Sequence, residues 1–243
     1  MQFNIITIFP NMFDALDHGV VGRAKSNGLI SLNFWNPRDY ANNSYRKIDD
    51  APYGGGPGMV MMVEPLRRAL ATARSIHGSG LIVYLTPQGK LFNDQIAKEL
   101  AVRSTLFMVA GRYEGIDERL MKLEPGLEIS LGDYILSGGE LAIMVLIDAI
   151  TRQLPKVLGD ENSVKNDSLA QGLLKYPQYT RPQIVENLAV PPILLNGDHR
   201  KIETWRRKQA LGRTQCRRPD LMQKIELTAA DRMLLNDFIG EVS

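Results

Sequence analysis

Short apolar runs alternate with amphipathic stretches along the first two-thirds of the chain. The apolar runs are rich in β-branched and aromatic residues, a composition that favours strands. Helices between such strands are typical of a mostly parallel sheet that is covered on both faces. The pattern therefore predicts an α/β fold. The predicted strands are Phe3–Phe9, Leu29–Trp35, Leu81–Leu85, Thr105–Ala110 and Leu127–Ser130.

Helix start signals place helices between several of these strands. The predicted helices are Asn11–Asp17, Pro65–Ser75 with proline at its first position, and Asn93–Val102 with an asparagine cap. A buried helix is also expected after Ser137-Gly-Gly-Glu140, which has the spacing of a capping box. The two glycines of this motif are expected to leave the first amides of the helix open to a ligand.

The composition changes after Pro155. Residues 159–170 are polar and lack periodicity, as is typical of a mobile linker. The sequence therefore predicts an α/β domain over residues 1–158, a flexible linker over 159–170 and a small α-helical C-terminal domain over 171–243.

Positive charge is concentrated in the C-terminal part. The whole chain carries a net charge of +2, whereas the segment from His199 to Asp220 has eight Lys or Arg residues against two acids. Helical patterns cover Lys201–Leu211 and also Ala229–Ile239, which follows a Thr-x-x-Asp cap. The basic residues and Trp205 suit RNA phosphates and a stacked base, although a solvated basic helix has the same pattern.

Several classes of protein are disfavoured by what the sequence lacks. Cys216 is the only cysteine, so neither an intrachain disulfide nor a thiolate metal site is expected, and a reducing cytoplasm is the expected location. His18, His77 and His199 are scattered and give no catalytic lead. No apolar run is long enough to span a bilayer, so no membrane partner is predicted. Because cysteines and histidines are not clustered, no metal site is predicted.

Three glycine-containing loops follow predicted strands: Thr86–Gly89, Gly111–Gly115 and Gly132–Gly139. Loops at the carboxyl ends of neighbouring parallel strands form the ligand crevice of an open sheet, and glycine lets the backbone approach a ligand. The alternative for each loop alone is a simple turn after a strand. Neither the dinucleotide nor the triphosphate fingerprint is present.

Five long motifs occur in order along the chain. They are Asp49-Asp-x-Pro-Tyr-Gly-Gly-Gly-Pro-Gly-Met59, Gly111-Arg-Tyr-Glu-Gly-Ile-Asp-Glu-Arg119, Gly132-Asp-Tyr-x-Leu-Ser-Gly-Gly-Glu140, Gly172-Leu-Leu-x-x-Pro-x-Tyr-Thr-Arg-Pro182 and Trp205-Arg-x-x-x-x-Leu-Gly-Arg-Thr214. Together they resemble the bacterial tRNA (guanine-N1)-methyltransferase family, the TrmD type.

The resemblance implies a fold, a donor and a substrate. The fold is that of the SPOUT class, a parallel sheet with a deep trefoil knot, in a homodimer whose two subunits build each active site. The methyl donor is S-adenosylmethionine. The substrate is tRNA with guanine 3′ of the anticodon, at position 37, and the product is N1-methylguanine.

Matching positions carry the family's site residues over to this sequence. The catalytic pair is Asp167 and Arg152. The residues implied to bind S-adenosylmethionine are Tyr84, Leu85, Thr86, Pro87, Gln88, Gly89, Gly111, Tyr113, Glu114, Ser130, Leu131, Gly132, Asp133, Tyr134, Ile135, Leu136, Gly138 and Gly139.

The implied catalytic pair suits the chemistry. Guanine N1 carries a proton at neutral pH, so a base must remove it as the methyl group arrives. Asp167 is able to accept that proton, and Arg152 to stabilise the negative charge that then accumulates on O6. Without the resemblance, Asp167 would be read as a solvated residue of a polar linker. A linker that orders only when RNA docks would assemble the base at the moment of reaction.

Two positions depart from the family pattern in chemical character, besides the minor changes at Thr86 and Leu131. Lys175 stands where the motif usually has an acid, and Ala51 stands where arginine is common. An acid at the first position would face the methionine amino group or a Mg²⁺ ion, so the lysine puts that contact in question, and Mg²⁺ stays an open second cofactor. Two competing functions are ribose 2′-O-methylation by a SPOUT enzyme and RNA binding without catalysis.

Overall fold

The structure is a computed structural model that describes residues 1–159, 167–169 and 172–242. The chain divides into two compact units, Met1–Gly159 and Asp160–Ser243. Most of the linker predicted over residues 159–170 lies outside the described residues, so its flexibility stays a prediction.

The first unit is built on a five-stranded sheet with the strand order β2-β1-β6-β5-β7. Every neighbouring pair in this sheet is parallel. The predicted α/β fold with a parallel sheet is therefore confirmed, while the knot stays a prediction. The strands of this sheet are β1 (Gln2–Ile6), β2 (Ser31–Trp35), β5 (Leu81–Leu91), β6 (Thr105–Val109) and β7 (Leu127–Ser130).

Strand β5 is longer than the sequence predicted. It continues past Leu85 to Leu91, but Leu85 and Lys90 both lie opposite Ile129 of β7. Residues 86–89 therefore protrude from the ladder as a bulge, because the partner strand offers no positions for them. The prediction of a strand that ends at Leu85 was wrong in its boundary, yet the protruding residues are those of the predicted loop.

Helices cover both faces of the sheet. Successive residues of β6 alternate between two buried clusters, with Leu106 and Met108 on one face and Phe107 and Val109 on the other. The first cluster includes residues of α1, α3 and α5, and the second includes residues of α2 and α4. These helices are α1 (Gly19–Ser26), α2 (Val63–His77), α3 (Asp94–Ala101), α4 (Glu118–Leu123) and α5 (Glu140–Gln153).

The helix predictions are confirmed in part. Asn93 caps α3 as expected, since its side chain accepts from the amide of Ile96 at 3.0 Å. Helix α2 begins two residues before Pro65, and the segment predicted as a helix from Asn11 forms the 3-10 helix Pro10–Asp17. Helices α1 and α4 were not predicted, because they are short and only a few of their residues are buried.

The capping box predicted at the start of α5 is wrong. The N-cap residue is Gly139, no side chain caps the helix, and Glu140 is its first residue rather than its third. The carboxylate of Glu140 binds Thr7 and Arg112 instead of closing back on the helix start. Contacts with residues distant in the sequence have therefore replaced the local contact of a capping box.

The second unit is mainly helical in its described residues. Three helices, α6 (His199–Arg217), α7 (Pro219–Met222) and α8 (Ala229–Val242), follow a two-stranded antiparallel hairpin, β8 (Ile184–Val185) and β9 (Leu188–Ala189). The predicted cap of the last helix is confirmed, because Asp231 and Thr228 accept from each other's amides at 3.2 and 3.1 Å, respectively. A small buried cluster around Leu173 and Leu211 holds the unit together.

Candidate functional site

A cavity of about 500 Å³ opens beside the bulge of β5 and at the carboxyl ends of β6 and β7. These strands are neighbours in the order β6-β5-β7, so the bulge and the loops that follow β6 and β7 converge. The predicted convergence of the three glycine-containing loops is confirmed. The volume of the cavity is in the range of sites for small organic molecules.

The structure brings nearly all the residues predicted to bind the methyl donor to this cavity. Gly89 and Asp133 are the two that do not line it. Gly89 has a different role, because a Cβ on it would lie 2.4 Å from the backbone between Glu128 and Ile129. Tyr84 lines the cavity, but its buried hydroxyl donates to the carbonyl of Glu124 at 2.7 Å. The donor-binding role of the set stays a prediction.

Sequence reasoning missed several lining residues. Most of them come from α4, from α5 and from positions of the loops that were not singled out, and their proximity depends on how helices pack over the sheet. They are Arg112, Gly115, Ile116, Glu118, Met121, Ile129, Ser137 and Ala142. The predicted crevice loops already contained Arg112, Gly115 and Ser137, although these three were not singled out. No local pattern indicated that the other five would line the cavity.

A buried ion pair fixes the loops around the cavity. The side chain of Glu140 is fully buried, and it accepts from Arg112 Nε at 2.9 Å and from Thr7 Oγ1 at 2.8 Å. Arg112 also donates to the carbonyl of Ser137 at 3.1 Å and lies 4.5 Å from the ring centre of Phe9. The network ties the end of β1 to two of the three cavity loops.

The backbone at the start of α5 is closely packed rather than open. The amide of Gly139 donates to the carbonyl of Gly111 at 2.9 Å, so the prediction that it is left for a ligand was wrong. A Cβ on Gly139 would lie 2.9 Å from the Cα of Ala110, and one on Gly138 would overlap the Arg112 side chain. These glycines allow protein segments, as well as any ligand, to approach closely.

The glycine-rich stretch from Asp49 to Met59 is tied to the cavity. Its two ends pair in a short antiparallel ladder between β3 (Asp49–Asp50) and β4 (Val60–Met61). The amide of Glu114 donates to the carbonyl of Met59, and that of Met61 to the carbonyl of Gly115, both at 2.9 Å. The stretch therefore braces the loop that begins at Gly111.

Tyr113 lies in this braced loop with a left-handed backbone, φ 60°. Burial raises the pKa of its hydroxyl above the ordinary value, and the negative charge of Asp49 raises it further, while Arg38 opposes both. The hydroxyl of Tyr113 is therefore neutral at physiological pH.

The wall of the cavity suits an amphiphilic, positively charged ligand. Apolar side chains line part of it, and the carboxylates of Glu114 and Glu118 contribute negative charge. S-adenosylmethionine combines a flat adenine with a cationic sulfonium, so the residues present fit this donor.

The predicted catalytic residues belong to different units. Arg152 lies in the last turn of α5 and is partly buried. Asp167 belongs to the second unit, where its Oδ1 lies 3.3 Å from Lys175 Nζ. Their pairing on one guanine stays a prediction.

The basic segment of the second unit forms most of α6. Part of its charge is used within the unit, because Arg207 binds Asp231 through two hydrogen bonds and Lys208 binds Glu241. Among the described residues, no ion pair holds Arg213 or Arg217. Arg213 and Arg217 are therefore better placed than Arg207 to contact phosphates.

The described residues contain neither a group of metal ligands nor a helix that could span a membrane. Within residues 1–159, 167–169 and 172–242, no three or more His, Cys, Asp or Glu side chains are grouped as a metal site would need. In the same part of the chain, every helix is too short or too polar to cross a bilayer.

An α/β protein with a glycine-lined cavity at its strand ends is the class that this fold and site define. Comparison with known proteins identifies the family. Residues 1–224 match the family described as "tRNA (Guanine-1)-methyltransferase TrmD". The chain belongs to this family.

Curated relatives match over almost the whole chain. A tRNA (guanine-N(1)-)-methyltransferase of Nitrosococcus oceani is 54% identical over 243 residues, which cover 99% of this chain and 96% of that protein. Proteins of the same name from Coxiella burnetii and Photorhabdus laumondii are 54% and 50% identical, and at least 97% of each chain is covered. The resemblance inferred from the five motifs is confirmed.

Proposed function

We propose that this protein transfers a methyl group from S-adenosylmethionine to N1 of a guanine in tRNA. The observation that carries the proposal is that one cavity is lined by all three glycine-containing loops, in a chain that belongs to this family. The alignments with its relatives cover almost the whole of both chains, and the names of these relatives support the same activity.

The cavity is the proposed donor site. S-adenosylmethionine supplies an electrophilic methyl group on its sulfonium. The apolar residues Leu85, Ile116 and Leu136 would exclude water around the adenine, and the carboxylates of Glu114 and Glu118 would favour the positive charge. The Arg112–Glu140 pair would hold the loops in place without itself reacting.

Asp167 and Arg152 are the proposed catalytic residues. Asp167 would accept the proton of guanine N1, which frees the lone pair that forms the new N–C bond as the methyl–sulfur bond of the donor breaks and the neutral thioether leaves. Arg152, at the end of α5, would donate to O6 and stabilise the charge left there. General base catalysis of this kind contributes about 10²- to 10⁴-fold to a rate.

The remaining features of the proposal come from family membership. They are a trefoil knot in the domain of residues 1–158, a homodimer in which both subunits build each site, and a linker over 159–170 that orders on RNA. The proposed target is the guanine at position 37, 3′ of the anticodon. The proposed location is the cytoplasm, where tRNA is modified, and the helical domain of residues 171–243 would bind the tRNA through the basic residues of α6.

The decisive experiment is methyl transfer to a tRNA with guanine at position 37, followed by digestion to nucleosides. N1-methylguanosine is the expected product, and a tRNA with adenine at that position should remain unmodified. A 2′-O-methyl nucleoside would contradict the proposal in favour of ribose methylation. RNA binding without donor binding, measured by calorimetry, would instead indicate a non-catalytic RNA-binding protein.

A further inference from the structure

An ion pair within the second unit holds the proposed base. Lys175 Nζ lies 3.3 Å from Asp167 Oδ1. About a quarter of the lysine side chain and two-fifths of the aspartate side chain are exposed, so water screens the pair only in part. Lys175 stands where the family motif usually has an acid, so a cation faces the carboxylate in this chain.

The backbone around Lys175 is firmly anchored. Its amide donates to Ser168 Oγ at 3.0 Å, next to Asp167 in the chain. The amide of Leu174 donates to Thr214 Oγ1 at 2.9 Å, and that hydroxyl belongs to a fully buried residue of α6. Lys175 therefore projects from a fixed point of the unit.

Leu173 and Leu169 also help to hold this part of the backbone in place. Leu173 is buried in the small core of the unit together with Leu211. The amide of Leu169, two residues after Asp167, donates to the carbonyl of Leu173 at 2.7 Å. The aspartate is thus held through the backbone by Leu173 and through its side chain by Lys175.

We propose that Lys175 is a positioning residue, which orients the carboxylate of Asp167 for proton abstraction. The inference rests on the proposed role of Asp167 as the base. A carboxylate on a flexible polar segment would sample many orientations, and an ammonium anchored to the core restricts them. Lys175 itself exchanges no proton with the guanine; its role is to fix the orientation of the carboxylate.

The test is a double-mutant cycle on single-turnover methyl transfer with the full-length protein. Lys175→Met should lower the rate about five- to tenfold, a size typical of coupled contacts. Lys175→Arg should restore the rate to within about threefold of wild type, because it keeps the cation. In an Asp167→Asn background, Lys175→Met should cause no further loss.

Lys224→Met is the matched control, since Lys224 is an exposed lysine of the same unit. It should leave the rate unchanged. Binding of tRNA and of S-adenosylmethionine should be the same in all variants, and circular dichroism should show the same fold. An effect that appears in the affinity for tRNA and grows weaker with added salt would make Lys175 a phosphate contact and overturn the inference.

The double-mutant cycle distinguishes a failure of the base role of Asp167 from a failure of the positioning role of Lys175. If Asp167→Asn is fully active, the base role itself fails. If Asp167→Asn is impaired but Lys175→Met is active, or if the two losses multiply, the base role stands and the positioning role of Lys175 is wrong.

Discussion

Arg112 and Glu140 form an ion pair of 2.9 Å next to the candidate donor site, and the carboxylate side of the pair is fully buried. The two residues come from the ends of different motifs, 28 positions apart. Because the pair also engages Thr7 at the end of β1, it links three parts of the chain that surround the cavity. A buried charge of this kind is costly to leave alone.

Removing the arginine should therefore destabilise the first unit. We expect Arg112→Met to lower its free energy of unfolding by about 3 to 5 kcal/mol, because Glu140 would lose its cation. Arg119→Met is the control, since Arg119 pairs with Asp117 while its own side chain is 68% exposed. Urea unfolding followed by Trp35 fluorescence, in a Trp205→Phe background, measures both. Equal stability of the two variants would show that the buried pair contributes little.

Adding Glu140→Met to Arg112→Met should recover part of the loss, because the double variant removes the buried charge as well. A double variant less stable than the single one would contradict this account.

The close packing of Gly139 gives a second prediction. Gly139→Ala should destabilise the fold by about 1 to 3 kcal/mol, because its Cβ would lie 2.9 Å from the Ala110 Cα. Gly159→Ala is the control, since no heavy atom lies within 4 Å of a Cβ there. Thermal unfolding should separate the two variants. If Gly139→Ala has wild-type stability and only donor binding is lost, the glycine serves the ligand rather than the packing.

The donor site can be tested on an exposed side chain. Ile135 lines the cavity and is 80% exposed, so Ile135→Ala should spare the fold but weaken S-adenosylmethionine binding about tenfold. Val102→Ala, at a position 82% exposed and away from the cavity, should bind the donor normally. Titration calorimetry measures both affinities. Normal binding by Ile135→Ala would place the donor away from this residue.

The proposed base is tested by Asp167→Asn, which keeps the shape of the side chain but removes the proton acceptor. It should bind donor and tRNA normally and lose about 10²- to 10⁴-fold in single-turnover rate. Asp237→Asn, at an exposed position of α8, is the control. A rate for Asp167→Asn within about threefold of wild type would remove it from the base role.

Arg152→Ala should be similarly damaging. Combined with Asp167→Asn, it should cost less than the product of the two single losses, because both residues act on one deprotonation. Losses that multiply would assign the two residues to separate steps.

The second unit should carry a pH-dependent contribution to stability. Hydrogen bonds from Arg207 lower the pKa of Asp231 from its usual 3.8 to about 2, and those with Thr228 add to the effect. Because the folded pKa is the lower one, this contribution is complete above the unfolded value and is lost as the pH falls through about 2.

Asp231→Asn should therefore be less stable than wild type at pH 7, with the difference shrinking between about pH 4 and 2. Urea unfolding followed by Trp205 fluorescence, in a Trp35→Phe background, reports on this unit. Arg207→Gln should show the same narrowing. A difference that stays constant down to pH 2 would mean that Asp231 stabilises the unit by its shape alone.

Local patterns predicted much of the fold and of the candidate site. The five strands of the sheet were located because short runs of β-branched and aromatic residues signal burial on both faces. The cavity loops were located because glycines directly after parallel strands fall at one edge of the sheet. Asn93 and Thr228 were recognised as caps because a cap acts within three residues of itself.

The failures have a common physical cause. Ser137 and Glu140 have capping-box spacing, but the buried carboxylate of Glu140 gains more from a charge-assisted bond to Arg112 than from a backbone amide. Arg112 comes from another loop, so spacing within the motif could not indicate it. In the same way, the partner of Lys175 depends on how residues 167–175 are anchored to α6.

By itself, the sequence determined the parallel α/β fold, the loops that meet at the strand ends and the family to which the chain belongs. Each of these depends on the order of residue types along short segments. The tertiary structure alone decided that Glu140 meets Arg112, that Gly139 packs on Ala110 and that Lys175 meets Asp167. Contacts between side chains are set by distances in space, and the sequence records only which residues are able to make them.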